Sequence, residues 1–177
     1  MSCSFRRILF PSDLSPLSPE LLGKIREIGG TDLEEIHLAF ILEAFHEIPA
    51  DFPIPGVSLE PVAQEAMKRL NRIALSLEPV SGVVSTGVYT GRADHTLAAL
   101  AVAGGYDLVL IVSHARNFLG RLMVGSVSTS LMHISPLPVL VLKEPSSQDS
   151  LKKSAELHMA DKNALLPMAF TPDIRKG

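Results

Sequence analysis

The sequence contains a single cysteine, Cys3, among its 177 residues. One thiol excludes a disulfide within the chain and a cysteine-rich metal site. Lys and Arg total 16 against 19 Asp and Glu, a net charge of -3, which gives no basic surface for nucleic acid. The apolar runs are too short for a membrane span, and the one before Pro11 is too short for a signal segment. These absences predict a cytoplasmic protein with no nucleic-acid or membrane partner.

Apolar residues, by contrast, make up 46% of the chain, enough for the core of one globular domain. Short apolar runs alternate with segments of helical period, which is typical of strand-helix units around a parallel sheet. The predicted strands are Arg7 to Pro11, Glu35 to Leu42, Gly82 to Val88, Leu108 to Ser113 and Val139 to Lys143. The first predicted helix begins at Pro16 or Ser18 and ends at Gly29-Gly30. The other three predicted helices span Leu59 to Leu77, Asp94 to Ala103 and Ser126 to Ile134.

The composition changes after Glu144 from alternating elements to a polar stretch without strand signals. We therefore predict a single α/β domain over residues 1–144 and a C-terminal tail over 145–177. The tail begins as a polar linker and contains a short helix that Asp149 or Ser150 can cap. Its apolar stripe is thin, so either a loosely held tail or a contact with a partner remains open. Residues 43–56, with three prolines, are predicted to form a loop.

Right-handed crossovers would place strands two and three on one side of strand one, and strands four and five on the other. The predicted fold is thus a doubly wound five-stranded parallel sheet of order 3-2-1-4-5. Ligands bind such sheets beyond the carboxyl ends of the strands, where the order reverses. The loops at that point are Pro11-Ser12-Asp13 and Ser113-His114-Ala115. Asp13 also has a structural interpretation, because aspartate after a strand often caps a helix or closes a turn.

Gly125 and Ser126 precede the fourth predicted helix, whose first backbone N–H groups favour an anion such as phosphate. Ser128 can add a hydroxyl, and Arg116 or Arg121 can neutralise charge. The alternative is that Ser126 only caps the helix and that both arginines are solvated.

Histidine is present six times but without the spacing of a metal site. His114 has a neighbouring serine, but no orienting acid completes a catalytic arrangement. We therefore predict no catalytic residue and no metal ligand.

Two segments, RRILFPSDLS near the start and residues 107–143, resemble the universal stress protein family, and the resemblance covers residues 4 to 144. Members that bind ATP carry the pattern GxxGx9G[ST] after the fourth strand. Here Val112-Ser113-His114-Ala115 is followed by nine residues and then by Gly125-Ser126. The second half of the pattern matches, whereas Val112 and Ala115 replace both glycines of the first half.

The resemblance implies a stress-response protein that binds ATP or another adenine nucleotide, with Mg²⁺ as the ion that could accompany it. It also implies homodimers through the fifth strand, Val139 to Lys143. The replaced glycines support a second hypothesis, an interaction module that has lost nucleotide binding. If the protein has any enzymatic activity, we expect no more than slow ATP hydrolysis. The implied contacts are Pro11 and Asp13 beside the adenine, Ile41 packed on the base, and Gly125, Ser126 and Val127 around the phosphates; Ser113 and His114 complete the candidate nucleotide-binding residues.

Overall fold

The computed structural model describes residues 5–43, 58–113 and 125–144. Within these ranges, five strands alternate with four helices, as the sequence predicts. The strands are β1 Arg7–Pro11, β2 Glu35–Leu42, β3 Val83–Thr90, β4 Leu108–Ser113 and β5 Val139–Lys143. The helices are α1 Pro19–Gly29, α2 Glu60–Leu77, α3 Ala93–Ala103 and α4 Ser126–Ile134.

The predicted bounds of β1, β2, β4, α4 and β5 are confirmed, while β3 runs two residues beyond its predicted end, to Thr90. Helix α1 starts at the second of the two predicted places, because Ser18 is its N-cap and the Ser18 hydroxyl accepts a hydrogen bond from the Leu21 N–H at 3.4 Å. Gly30 ends the helix at φ 59°, a left-handed conformation that glycine adopts without strain.

All described strand pairs are parallel, and the sheet order is β3-β2-β1-β4-β5, which confirms the predicted doubly wound fold. Strand β1 lies in the centre, paired with β2 on one side and with β4 on the other. Since β2 and β3 lie on one side and β4 and β5 on the other, the strand order reverses between β1 and β4. The carboxyl ends of these two strands therefore flank the switch point of the sheet.

Side chains alternate between the two faces of the sheet, and each face has its own apolar core. Ile8 and Phe10 of β1 pack with residues of α1 and α2, including Ile25 and Leu70. Leu9 faces the other way, into a cluster that also contains Ala39, Leu97, Ala101, Val109, Ile111 and Leu131. Helices α1 and α2 thus cover one face, and α3 and α4 cover the other.

Two predictions fall largely on residues that the structure does not describe. The predicted loop over 43–56 lies outside the described residues except for Glu43, and the predicted tail over 145–177 lies entirely outside them. In the part of the chain that is described, no helix combines the length and the apolar character that crossing a membrane requires.

Candidate functional site

A cavity of about 410 Å³ opens at the switch point, between the carboxyl ends of the central strands and the start of α4. This volume lies in the range of small-molecule sites. Strands β1, β2 and β4 and the helices α3 and α4 all contribute to its wall. The described lining residues are Phe10, Pro11, Ser12, Asp13, Ser15, Leu17, Ala39, Phe40, Ile41, Glu43, Ala93, Leu97, Ile111, Val112, Ser113, Gly125, Val127 and Ser128.

Most of the residues that the sequence analysis singled out come together at this cavity. Ser126 begins α4 next to the cavity and is exposed, but it is not among the lining residues. His114 lies outside the described residues. The role of these residues in nucleotide binding stays a prediction, whereas their convergence is a property of the fold. Those that line the cavity are Pro11, Asp13, Ile41, Ser113, Gly125 and Val127.

The turn after β1 is held by one hydrogen bond to β2 and by two local ones. The Ser12 N–H donates to the Ala39 carbonyl at 2.9 Å, and the Ser12 hydroxyl accepts from the Leu14 N–H at 3.1 Å. Asp13 Oδ1 accepts from the Ser15 N–H at 2.9 Å, which closes an Asx turn. The structural interpretation of Asp13 is therefore confirmed, and the same residue also lines the cavity.

Gly125, and not Ser126, is the N-cap of α4, so the interpretation of Ser126 as the cap residue is wrong. The Gly125 carbonyl accepts from the Thr129 N–H at 2.9 Å, whereas no side chain of the described residues caps this end. A Cβ atom built on Gly125 meets no described heavy atom within 4 Å. Among the described residues, no side chain therefore caps the backbone donors in the first turn of α4, which lies at the cavity.

Val112 lines the cavity at the position where the ATP-binding pattern has its first glycine. Ala115, at the second of these positions, lies outside the described residues. A branched side chain at Val112 takes space that glycine would leave open for a close approach of the backbone.

Glu43 adds a carboxylate to the cavity that the sequence analysis missed. It follows the last residue of β2, and its Oε1 accepts from the Ala93 N–H at the start of α3, at 2.9 Å. A carboxylate is stabilised at a helix N-terminus by the unpaired N–H groups there. An acidic residue directly after a strand was the sequence signal that could have indicated this site. The sequence analysis assigned Glu43 to the predicted loop over residues 43–56 and therefore did not consider it.

A second set of polar side chains lies on the sheet face that α3 and α4 cover. His37 is 8% exposed, with Nδ1 2.7 Å from the Ser85 hydroxyl and Nε2 2.8 Å from the Tyr89 hydroxyl. Ser85 donates to Glu35 Oε1 at 2.6 Å, and Arg7 donates to Glu35 Oε2 at 2.5 Å. Since an ionised carboxylate only accepts, Ser85 must accept from Nδ1–H, and Nε2 of a neutral imidazole accepts from Tyr89.

This chain of bonds predicts how stability depends on pH. Burial lowers the pKa of His37 from its ordinary value of 6.5, although the Glu35 charge opposes the shift. The unfolded chain therefore takes up this proton more readily than the folded protein. The contribution of neutral His37 to stability is complete above pH 6.5 and is lost as the pH falls below it, towards the folded pKa.

We expect wild-type protein to lose more unfolding free energy between about pH 7.5 and about pH 5.5 than the His37→Gln variant, in urea titrations at matched ionic strength. Equal losses in both proteins would show that His37 does not contribute to the slope.

The chain is a doubly wound α/β protein, and its cavity lies at the switch point of the sheet, where proteins of this class bind small molecules. The model of the Universal stress protein family matches residues 4–143. The chain belongs to this family.

Similar proteins agree with the assignment. The chain is 24% identical over 162 residues to universal stress protein MJ0577 of Methanocaldococcus jannaschii, covering 83% of this chain and 100% of that protein. The solved structure of MJ0577 matches with a TM-score of 0.65 and 25% identity, over 80% of this chain and 98% of that chain.

Two further solved structures hold nucleotides. A universal stress protein family protein of Arabidopsis thaliana, with AMP bound, matches with a TM-score of 0.51 and 13% identity, over 82% of this chain and 98% of that chain. A universal stress protein in complex with cAMP matches with a TM-score of 0.50 and 15% identity, over 79% of this chain and 98% of that chain. At these identities the likeness shows the shared fold.

Proposed function

We propose that this universal stress protein binds an adenine nucleotide, ATP or AMP, and acts in a stress response. The observation that carries the proposal is the convergence of Pro11, Asp13 and Ile41 with the Gly125 turn at one cavity of about 410 Å³. The AMP and cAMP complexes of proteins with this fold support it.

In the proposed complex the adenine lies between the turn after β1 and the Ile41 side chain. The sugar and phosphates then extend towards Gly125, Ser126 and Val127, where the α4 N–H groups favour negative charge. Ser113 is at the carboxyl end of β4, and the proposal includes His114 after it. Mg²⁺ would accompany a nucleotide with several phosphates.

The test is the thermal stability of the full chain with adenosine, AMP, cAMP and ATP, each with and without Mg²⁺. A ligand present at 100 times its dissociation constant stabilises the folded protein by about 2.7 kcal/mol, which gives an easily measured rise in melting temperature. We expect a rise with at least one nucleotide. The absence of any rise at millimolar concentrations of all four ligands would exclude the proposed function.

A second candidate function is an interaction module that does not bind nucleotide, and the observation that favours it is Val112 in the cavity wall, where the ATP-binding pattern has glycine. Under this hypothesis, replacing Val112 by glycine would create a thermal response to nucleotide that the wild-type protein lacks. If wild-type protein responds, the module hypothesis is excluded and Val112 only modifies the affinity.

The two carboxylates at the cavity predict a preference among ligands. Asp13 and Glu43 both repel phosphate charge, and the Glu43→Gln variant keeps an oxygen that can accept from the Ala93 N–H. We expect this variant to bind ATP about fivefold more tightly, which corresponds to roughly 1 kcal/mol of relieved repulsion. Its affinity for uncharged adenosine should not change.

Isothermal titration calorimetry with ATP and adenosine checks the preference, and Glu27→Gln, an exposed acid on α1, is the matched control. An equal gain for ATP and adenosine would rule out a charge effect at Glu43.

We further propose that the protein is cytoplasmic, that its universal stress protein domain ends at about residue 144, and that it forms homodimers through β5. Strand β5 is the last strand of the sheet order, and the edge of such a strand can pair with another chain. Light scattering should therefore give twice the chain mass of 19.1 kDa. A single-chain mass at micromolar concentration would contradict the dimer.

A further inference from the structure

Asp94 is a buried carboxylate in the first turn of α3, and it is bonded on all sides. It is 5% exposed. Its Oδ1 accepts from Arg92 Nε and from the His95 N–H, both at 2.8 Å. Its Oδ2 accepts from the second guanidinium nitrogen of Arg92 at 2.8 Å and from the Ser130 hydroxyl at 2.5 Å.

The Arg92 pair determines the direction of the bond to Ser130. The Arg92 guanidinium and the Ser130 hydroxyl hold the pKa of Asp94 well below its usual range, so the carboxylate stays ionised. An ionised carboxylate only accepts hydrogen bonds, and Ser130 must therefore donate its single hydroxyl proton to Asp94. Bonds of this charge-assisted kind are short and strong compared with neutral ones.

Ser130 belongs to α4, the helix whose first turn lies at the cavity. It follows Ser126 by four residues, about one turn and 6 Å along the axis. Leu131 is the buried residue of α4 and packs against the sheet. Val127, four residues before Leu131, packs on the same apolar cluster, so one face of α4 lies on the sheet. The Ser130–Asp94 bond adds a directional contact with α3, which restricts the rotation of α4 about its axis further.

We propose that Asp94 is a positioning residue for the ligand: through Ser130 it sets the rotation of α4, so that the N–H groups of its first turn point at a phosphate group in the cavity. The inference rests on the proposed function, which it deepens by assigning phosphate recognition to a contact between two helices. The N-cap Gly125 and the first-turn residues Val127 and Ser128 line the cavity, and they form the end of α4 that this bond positions.

The test compares AMP with adenosine, which differ by the phosphate group. In the Ser130→Ala variant the Arg92–Asp94 pair remains and the tie to α4 is lost. We expect the affinity for AMP to fall about tenfold, the equivalent of one lost hydrogen bond to a charged group. The affinity for adenosine should stay within about twofold. Ser130→Thr keeps the hydroxyl and should restore AMP binding, and Met132→Ala, an exposed change on the same helix, should alter neither affinity.

An equal loss for AMP and adenosine, or no loss for either, would overturn the positioning role. The backbone amide chemical shifts of Ser126, Val127 and Ser128 without ligand provide a readout that does not depend on nucleotide. They should change in Ser130→Ala and return in Ser130→Thr. If the wild-type protein binds none of adenosine, AMP, cAMP and ATP, the proposed function fails, and unchanged amide shifts would then separately reject the positioning of α4 by Asp94.

Discussion

Replacing Gly125 by valine should abolish the stabilisation of the protein by nucleotide and leave the unliganded fold intact. A Cβ atom at Gly125 meets no described heavy atom within 4 Å, and the φ of -59° suits any L-residue. The added side chain would instead occupy the space where we place the phosphates. The stabilisation expected for wild-type protein, about 2.7 kcal/mol at 100 times the dissociation constant, should therefore disappear.

Thermal unfolding with and without nucleotide measures this effect, and Gly23→Val is the matched control. Gly23 lies on α1, and a Cβ atom there also meets no described heavy atom within 4 Å. This control should keep the response to nucleotide. If Gly125→Val still responded as wild type does, the phosphates would not lie at the start of α4.

The largest loss of stability at α4 is expected from Leu131→Ala. Leu131 is 0% exposed and packs with Leu9, Leu97 and Val109 on the sheet face that α3 and α4 share. Truncating a buried leucine removes apolar contacts and leaves a cavity, at a cost of about 2–5 kcal/mol. Since the total stability of a domain is typically about 5–15 kcal/mol, a loss of this size is a large part of it.

Urea unfolding checks the prediction. An unchanged m-value would show that the substitution leaves the compactness of the folded and unfolded states unaltered. The neighbouring Met132 is 42% exposed, and Met132→Ala should change the unfolding free energy by about 0.5 kcal/mol or less. A loss below about 1 kcal/mol for Leu131→Ala would mean that α4 is not anchored by this residue.

The fold could be predicted because its signals are local. Short apolar runs between turn residues predict the bounds of β1, β2, β4 and β5, and the structure confirms these bounds. The alternation of strands and helices then leaves few sheet orders once right-handed crossovers are assumed. The convergence of the Pro11 and Gly125 turns followed from that order, and both line the cavity.

The contacts that could not be predicted join residues far apart in the chain. Glu43 is hydrogen-bonded to Ala93 at the start of α3, 50 residues further along the chain, and Ser130 is hydrogen-bonded to Asp94, 36 residues before it. Asp94 has the sequence signature of any acid in a first helical turn, and His37 that of an ordinary strand residue. Neither shows its partners until the elements pack.

The sequence alone determines the strands, the helices, their order in the sheet and the edge at which the cavity opens, because apolar periodicity and turn residues act over a few neighbours. Only the tertiary structure decided which carboxylates reach the cavity, which serine ties α4 to α3 and how His37 is bonded. Those outcomes depend on side-chain geometry across packed elements, where shifts of about an ångström determine whether a hydrogen bond forms.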